Sequence, residues 1–160
     1  MCATGVQGWP GTMQNRPKLL LVEDDEDLAA AITTLVSDTY QLRVANNVRA
    51  AIEALLESRP DLILLDAGLG DDCCVPVAEE VRRLFPDFTP RMMLFTGLST
   101  PWALCQRLGI NEAIIKPNVI TEEGHFIVWQ RVGTGAGVKT VLRAEDVAPL
   151  PISLPLRTRS

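Results

Sequence analysis

Short apolar runs alternate along the chain with stretches in which apolar residues recur every three or four positions. Lys18–Val22 and Asp61–Asp66 are continuous apolar runs that predict buried strands, the second buried on both faces, and Tyr40–Ala45, Arg91–Phe95 and Glu112–Ile115 read as three more strands. Between them, Leu28, Ala31, Ile32, Leu35 and Val36 share one helix face, and Val48, Ala51, Ile52, Leu55 and Leu56 share another. Asn47 is placed to cap that second helix and Arg59-Pro60 to stop it. Val77, Ala78, Val81 and Leu84 mark a third helix within Pro76–Leu84. A fourth is bounded by a Thr100 cap, Pro101 at the first helical position and a Gly109 stop. The alternation βαβαβαβαβ predicts a parallel sheet with helices on both faces.

The pattern changes after Ile115. No helix follows the fifth strand. Instead His125–Val132 is β-rich, Gly133–Gly137 reads as a turn, and Val138–Arg143 is β-rich again, which predicts a hairpin. Ala148–Leu156 carries too many prolines for a helix. The expected organisation is a flexible lead over 1–17, one α/β domain over 18–118, and a hairpin arm with a tail over 119–160.

Composition narrows the class. No run approaches the ~20 apolar residues of a membrane helix, and the first residues show no basic region followed by an apolar segment. A cytoplasmic protein is expected, with no membrane partner. A net charge of −5 argues against nucleic acid as the main partner. Of the four cysteines, none has zinc-ligand spacing, and Cys73-Cys74 reads as an exposed loop pair of reduced thiols. His125, Trp102 and Trp129 read as structural groups.

Candidate chemistry gathers at strand ends. The first strand runs into Glu23-Asp24, the third ends at Asp66, the fourth at Thr96 and the fifth at Lys116. In a parallel sheet these ends lie on one rim, where ligand sites of open α/β sheets are found. Neighbouring carboxylates repel, and a hard divalent cation with oxygen ligands relieves this. A lysine and a hydroxyl on the same rim suit the oxygens of a tetrahedral anion. Together these are the parts that phosphoryl transfer to a carboxylate requires. Taken singly, each also has a plain reading: Asp66 as a turn residue, Glu23 and Asp24 as helix-start acids, Thr96 as a strand end, Lys116 as a solvated lysine. Asp25, Glu26 and Asp27 read as solvated helix-start charge.

Over roughly Lys18 to Pro117 the sequence resembles the receiver domain of two-component response regulators. The resemblance lies in Leu-Leu-Val-Glu-Asp-Asp, Leu-Ile-Leu-Leu-Asp, Leu-Phe-Thr-Gly and Ile-Ile-Lys-Pro, in that order and at family-like intervals. It implies a flavodoxin-like five-stranded sheet in the order 2-1-3-4-5. By the same resemblance Asp66 would accept the phosphoryl group. Mg²⁺ would be held by Glu23, Asp24, Asp66 and the backbone carbonyl of Gly68, with Asp24 a direct ligand. Thr96 and Lys116 would contact the phosphoryl oxygens.

The sequence also departs from that family. Receivers carry an aromatic residue three positions before the lysine, and here that position is Ala113. Gly70 stands where a proline is usual. Leu69-Gly70 and Pro76-Val77-Ala78 resemble stand-alone receivers that accompany histidine kinases of the HWE class. The family's last helix is replaced by the hairpin arm, and exchange of that arm would build a homodimer. The expected function is a stand-alone signalling receiver rather than an enzyme. Its phosphate would come from a sensor histidine kinase or histidine phosphotransfer protein. The alternatives are a pseudo-receiver working purely as an interaction or dimerisation module, and an aspartyl phosphohydrolase. The last usually has a second acid two residues after the nucleophile, where this chain has Gly68.

Overall fold

A computed structural model describes residues 16–69, 72–98, 100–132 and 136–147. The expected lead up to Asn15, the tip of the C-terminal turn at 133–135, Gly70 and the proline-rich tail from Ala148 lie outside the described residues. Within them, strands β1 (Lys18–Val22), β2 (Gln41–Ala45) and β3 (Leu62–Asp66) alternate with helices α1 (Glu26–Val36) and α2 (Val48–Glu57). A two-residue pair, β4 (Gly68–Leu69) and β5 (Asp72–Cys73), precedes helix α3 (Val75–Leu84). Then come β6 (Arg91–Thr96), α4 (Trp102–Leu108) and β7 (Glu112–Ile115), followed by the long strands β8 (Phe126–Val132) and β9 (Ala136–Leu142) and a 3₁₀ turn at Ala144–Asp146.

Helix boundaries follow local chemistry. The Asn47 side chain accepts the Ala50 amide at 2.8 Å and opens α2, as its position suggests. Gly109 ends α4 at φ 71°, the left-handed conformation that glycine adopts without a Cβ clash. Asp25 does more than the sequence reading allowed: it is the N-cap of α1 and accepts the Leu28 amide at 3.1 Å. Two expected details shift. Helix α4 begins at Trp102, with Pro101 at the cap position and no side-chain cap from Thr100. The Ala67–Val75 loop contains the antiparallel β4–β5 pair.

The main sheet has seven strands in the order β2-β1-β3-β6-β7-β8-β9. Its first five pair in parallel, giving 2-1-3-4-5 when the parallel strands alone are counted. The fold is therefore flavodoxin-like, and the sheet is longer than the five strands expected. The hairpin is part of that sheet rather than a free arm: β8 pairs antiparallel with β7 through Glu112–Gln130 and Ala113–Trp129, and β9 extends the edge. Antiparallel pairing lets a chain return without a crossover helix, which is how the domain dispenses with a helix at this point.

Two apolar layers flank the sheet. On one face Leu20, Ile63, Leu65 and Leu94 meet α2, α3 and α4 through Leu55, Val77, Val81, Cys105 and Leu108. On the other, Leu19, Leu21, Leu64 and Phe95 meet α1 through Ala29, Ile32 and Val36, joined by Phe126, Val128, Leu142 and Val147 from the C-terminal segment. Leu62–Asp66 is buried along its whole length. Cys74, expected to be exposed, is buried in the first of these layers because it opens α3 facing the sheet. Trp102 and Trp129 converge on Gly137: a Cβ there would lie 2.6 Å from Cζ2 of Trp102 and 3.4 Å from Cε3 of Trp129. That close approach, open only to glycine, packs α4 against the hairpin.

Candidate functional site

The carboxyl ends of β1 and β3 deliver their acids to one place. Glu23 follows β1 directly, its amide donating to the Ala45 carbonyl at 2.9 Å, and is almost fully buried. Asp24 turns outward and is exposed. Asp66, the last residue of β3, is buried beside them. One carboxylate oxygen from each of Glu23, Asp24 and Asp66 lies within 4.8 Å of the others. The tightness of the cluster follows from register: β1 lies next to β3 with Val22 opposite Leu65, so the residues that follow emerge side by side.

Lys116 reaches into this cluster from the end of β7, across β3 and β6. Its Nζ donates to Glu23 Oε1 at 2.8 Å and lies 3.5 Å from Asp66 Oδ1. The ammonium also sits 4.7 Å from the centroid of the Phe95 ring, a cation–π contact that fixes the side chain from below. Phe95 pairs with Asp66 across the β3–β6 seam. In sequence Phe95 is one more apolar strand residue; only its place beneath the lysine gives it a second task. The Lys116-Pro117 peptide bond is cis.

Two amides complete the near surroundings. Gly68 N–H donates to Asp66 Oδ1 at 3.3 Å, and Asp25 N–H donates to Glu23 Oε2 at 3.1 Å. Thr96 ends β6 next to Asp66, buried, with Oγ1 accepting the Leu98 amide at 3.0 Å. Its backbone carbonyl accepts Lys116 N–H at 2.7 Å. Thr96 thus borders the cluster, and among the described residues no hydrogen bond joins its hydroxyl to Asp66. Of the six residues singled out from sequence, Glu23, Asp24, Asp66 and Lys116 are brought together, Gly68 faces Asp66 through its amide, and Thr96 stands at the margin.

The electrostatics are those of a crowded acid pocket. The Asp66 carboxyl is pushed up to about 7, first by burial and then by the hydrogen bond and charge of Glu23. The Lys116 charge and the Gly68 amide only partly oppose them. At neutral pH, without a cation, Asp66 is held partly protonated, and the protonated form is a poor nucleophile. A hard divalent cation held by Glu23, Asp24 and Asp66 would reverse that balance, and oxygen donors in this number suit such an ion.

No protein-family model matches the chain. Solved structures do. The signal receiver domain of a protein described as a Luxo repressor, from Vibrio parahaemolyticus, is 28% identical with a TM-score of 0.55, the match covering 64% of this chain and 79% of that one. A chemotaxis response regulator of Vibrio cholerae is 21% identical with a TM-score of 0.57, covering 64% of this chain and 88% of that one. A response regulator from Burkholderia pseudomallei, solved with a phosphorylated aspartic acid, a calcium ion and citrate, is 23% identical with a TM-score of 0.55. That match covers 63% of this chain and 60% of the other, so this chain spans less than two thirds of it. The chain carries the receiver fold of two-component signalling. Among the described residues, no helix is long and apolar enough to cross a membrane.

Proposed function

We propose that the chain is a signalling receiver that accepts a phosphoryl group on Asp66. The observation that carries this reading is the convergence, on the carboxyl rim of a receiver fold, of three carboxylates and a lysine whose ammonium touches both buried acids. The donor is a phosphorylated histidine of a sensor kinase or of a phosphotransfer protein. Asp66 attacks phosphorus, an O–P bond forms, the P–N bond breaks, and the imidazole nitrogen leaves with the bonding pair. Oδ1 of Asp66 is held by Lys116 and the Gly68 amide, which leaves Oδ2 to attack.

The chain's own residues supply most of the remaining chemistry. Lys116 is within reach of the charge that develops on the phosphoryl oxygens and is kept in place by Glu23 and the Phe95 ring. Thr96 Oγ1 accepts the Leu98 amide, which leaves its O–H to donate to the same oxygens. Glu23, Asp24, Asp66 and the Gly68 carbonyl would hold Mg²⁺, which when bound neutralises the carboxylates and the incoming phosphoryl charge. The ion's fit rests on the clustered oxygen donors and on the raised Asp66 carboxyl.

Incubation with acetyl phosphate and Mg²⁺, followed by intact mass, tests this. A phosphoryl adduct is expected in the native chain and none in Asp66→Asn. Absence of an adduct under every condition would instead favour a phosphorylation-independent interaction module.

The signalling unit in this reading is residues 18–118 continued by the β8–β9 hairpin, acting through protein contacts rather than on nucleic acid. A homodimer would form through the hairpin, whose outer strand β9 is a sheet edge with Val138 and Val141 exposed. Light scattering at high micromolar concentration checks the dimer; a monomer unchanged by charge substitution at Val138 and Val141 speaks against it.

A further inference from the structure

The far end of the same sheet carries a second polar site. An open cavity of about 540 Å³ lies where β6 and β7 begin, β8 ends, and α3 and α4 terminate. Arg82, Arg91 and Arg131 line it, with Glu112, Gln130 and Asn111. These arginines differ in how they are compensated. Arg91 forms a two-pronged pair with Glu112, at 2.8 and 2.7 Å, and Gln130 donates to the same carboxylate at 2.8 Å. That network is closed. Arg82 donates to the Leu108 carbonyl and lies over Gly109, where an added Cβ would come within 3.0 Å of its Nη2. It has no carboxylate partner among the described residues. Arg131 is partly buried, its backbone amide donates to the Asn111 carbonyl at 3.0 Å, and its guanidinium has neither hydrogen bond nor ion pair among the described residues.

Two guanidinium ions with no carboxylate partner among the described residues therefore line one cavity in a chain of net charge −5. Like charges held around a shared concavity favour an anion between them, and guanidinium forks match the paired oxygens of carboxylate and phosphate. The volume falls in the range of pockets for small organic ligands and exceeds what a bare inorganic ion fills. We propose that this cavity binds a small organic anion, a carboxylate or phosphomonoester, with Arg131 and Arg82 as its anchors. The site is separate from the carboxylate rim and draws on none of the rim's residues.

Titration calorimetry on the metal-stripped full chain at low ionic strength, with adenosine 5′-monophosphate and with citrate as probes, tests the assignment. At least one probe is expected to bind. Arg131→Gln should weaken that binding by about tenfold or more, and Arg82→Gln with Arg131→Gln should abolish it. Arg131→Lys keeps the charge and stem but loses the fork, so it should weaken binding less than Arg131→Gln; it also serves if the glutamine variant fails to fold. Asp66→Asn should leave the affinity unchanged. The proposal is overturned if neither probe binds at millimolar concentration, if both Arg131 variants bind as tightly as the native chain, or if Asp66→Asn alone abolishes the heat.

Discussion

At one end of the sheet Glu23, Asp24 and Asp66 share a few ångströms with Lys116, while at the other Arg82, Arg91 and Arg131 share a cavity with Glu112. Part of this segregation is ordinary helix chemistry. In a parallel α/β domain every helix begins at the same end and finishes at the other. Asp25, Glu26 and Asp27 therefore meet the positive end of α1, and Arg82, Arg83 and Arg107 meet the negative ends of α3 and α4. Glu23, Asp66 and Arg131 are not on helices, and the dipole does not account for them. They are the residues on which each end's chemistry depends. The ends also differ in closure: Glu112 is matched to Arg91 and Gln130, whereas among the described residues the buried acids Glu23 and Asp66 share one lysine. One end is an ion pair built for stability, and the other is a site that stability opposes.

The largest effect should come from breaking the matched pair. Glu112→Ala leaves Arg91 and Gln130 without their acceptor at the β7–β8 seam, and a loss of ~2–4 kcal/mol is expected in urea unfolding. Asp66→Asn should act in the opposite sense. Removing a carboxylate from the crowded rim is expected to stabilise the metal-free chain above neutral pH by ~1–3 kcal/mol, and to abolish the rise in midpoint expected on adding Mg²⁺ to the native chain. A loss of stability in Asp66→Asn without metal would contradict the crowded-rim account.

The pH dependences should also run in opposite directions. Burial pushes the Glu112 carboxyl up, but the hydrogen bonds from Arg91 and Gln130 and the Arg91 charge outweigh it, and the net position lies below the ordinary glutamate value. Its contribution is present above the unfolded value of 4.5 and is lost as pH falls through the lower native value. Asp66 is raised from 3.8 to about 7, so its contribution is full below 3.8 and is lost as pH rises through about 7. Thermal melts across that window should decline toward neutral pH in the metal-free native chain. Asp66→Asn should flatten the decline, and saturating Mg²⁺ should remove it. The smallest effect is expected at the exposed Arg83–Glu80 pair on α3, where Arg83→Ala should leave the melting midpoint unmoved because solvent screens the charges.

The sequence carried the parallel strands, since apolar runs and helical periodicity are local signals that burial imposes, while their order in the sheet came from the resemblance to receiver domains. It also carried Asp66, Glu23, Asp24 and Lys116, because strand-end acids and a strand-end lysine stand out against those runs. Phe95 did not stand out, since an apolar residue in an apolar strand shows nothing of the ammonium 4.7 Å from its ring. Asp25 looked like one more solvated acid, and its capping bond depends on where α1 begins.

Only the tertiary structure decided the rest. The hairpin was legible as two β-rich segments, but its pairing with β7 rests on contacts such as Ala113–Trp129, which no local pattern encodes. Glycine at 137 looked like part of a turn until Trp102 came down on it. The basic cavity draws on Arg82, Arg91 and Arg131, which mean nothing as a sequence spacing. Residues that pack within one helix or strand leave their mark as a period, whereas residues joined by chain crossings leave none. That is why the rim could be foreseen from the ends of its strands, and the opposite end of the same sheet could not.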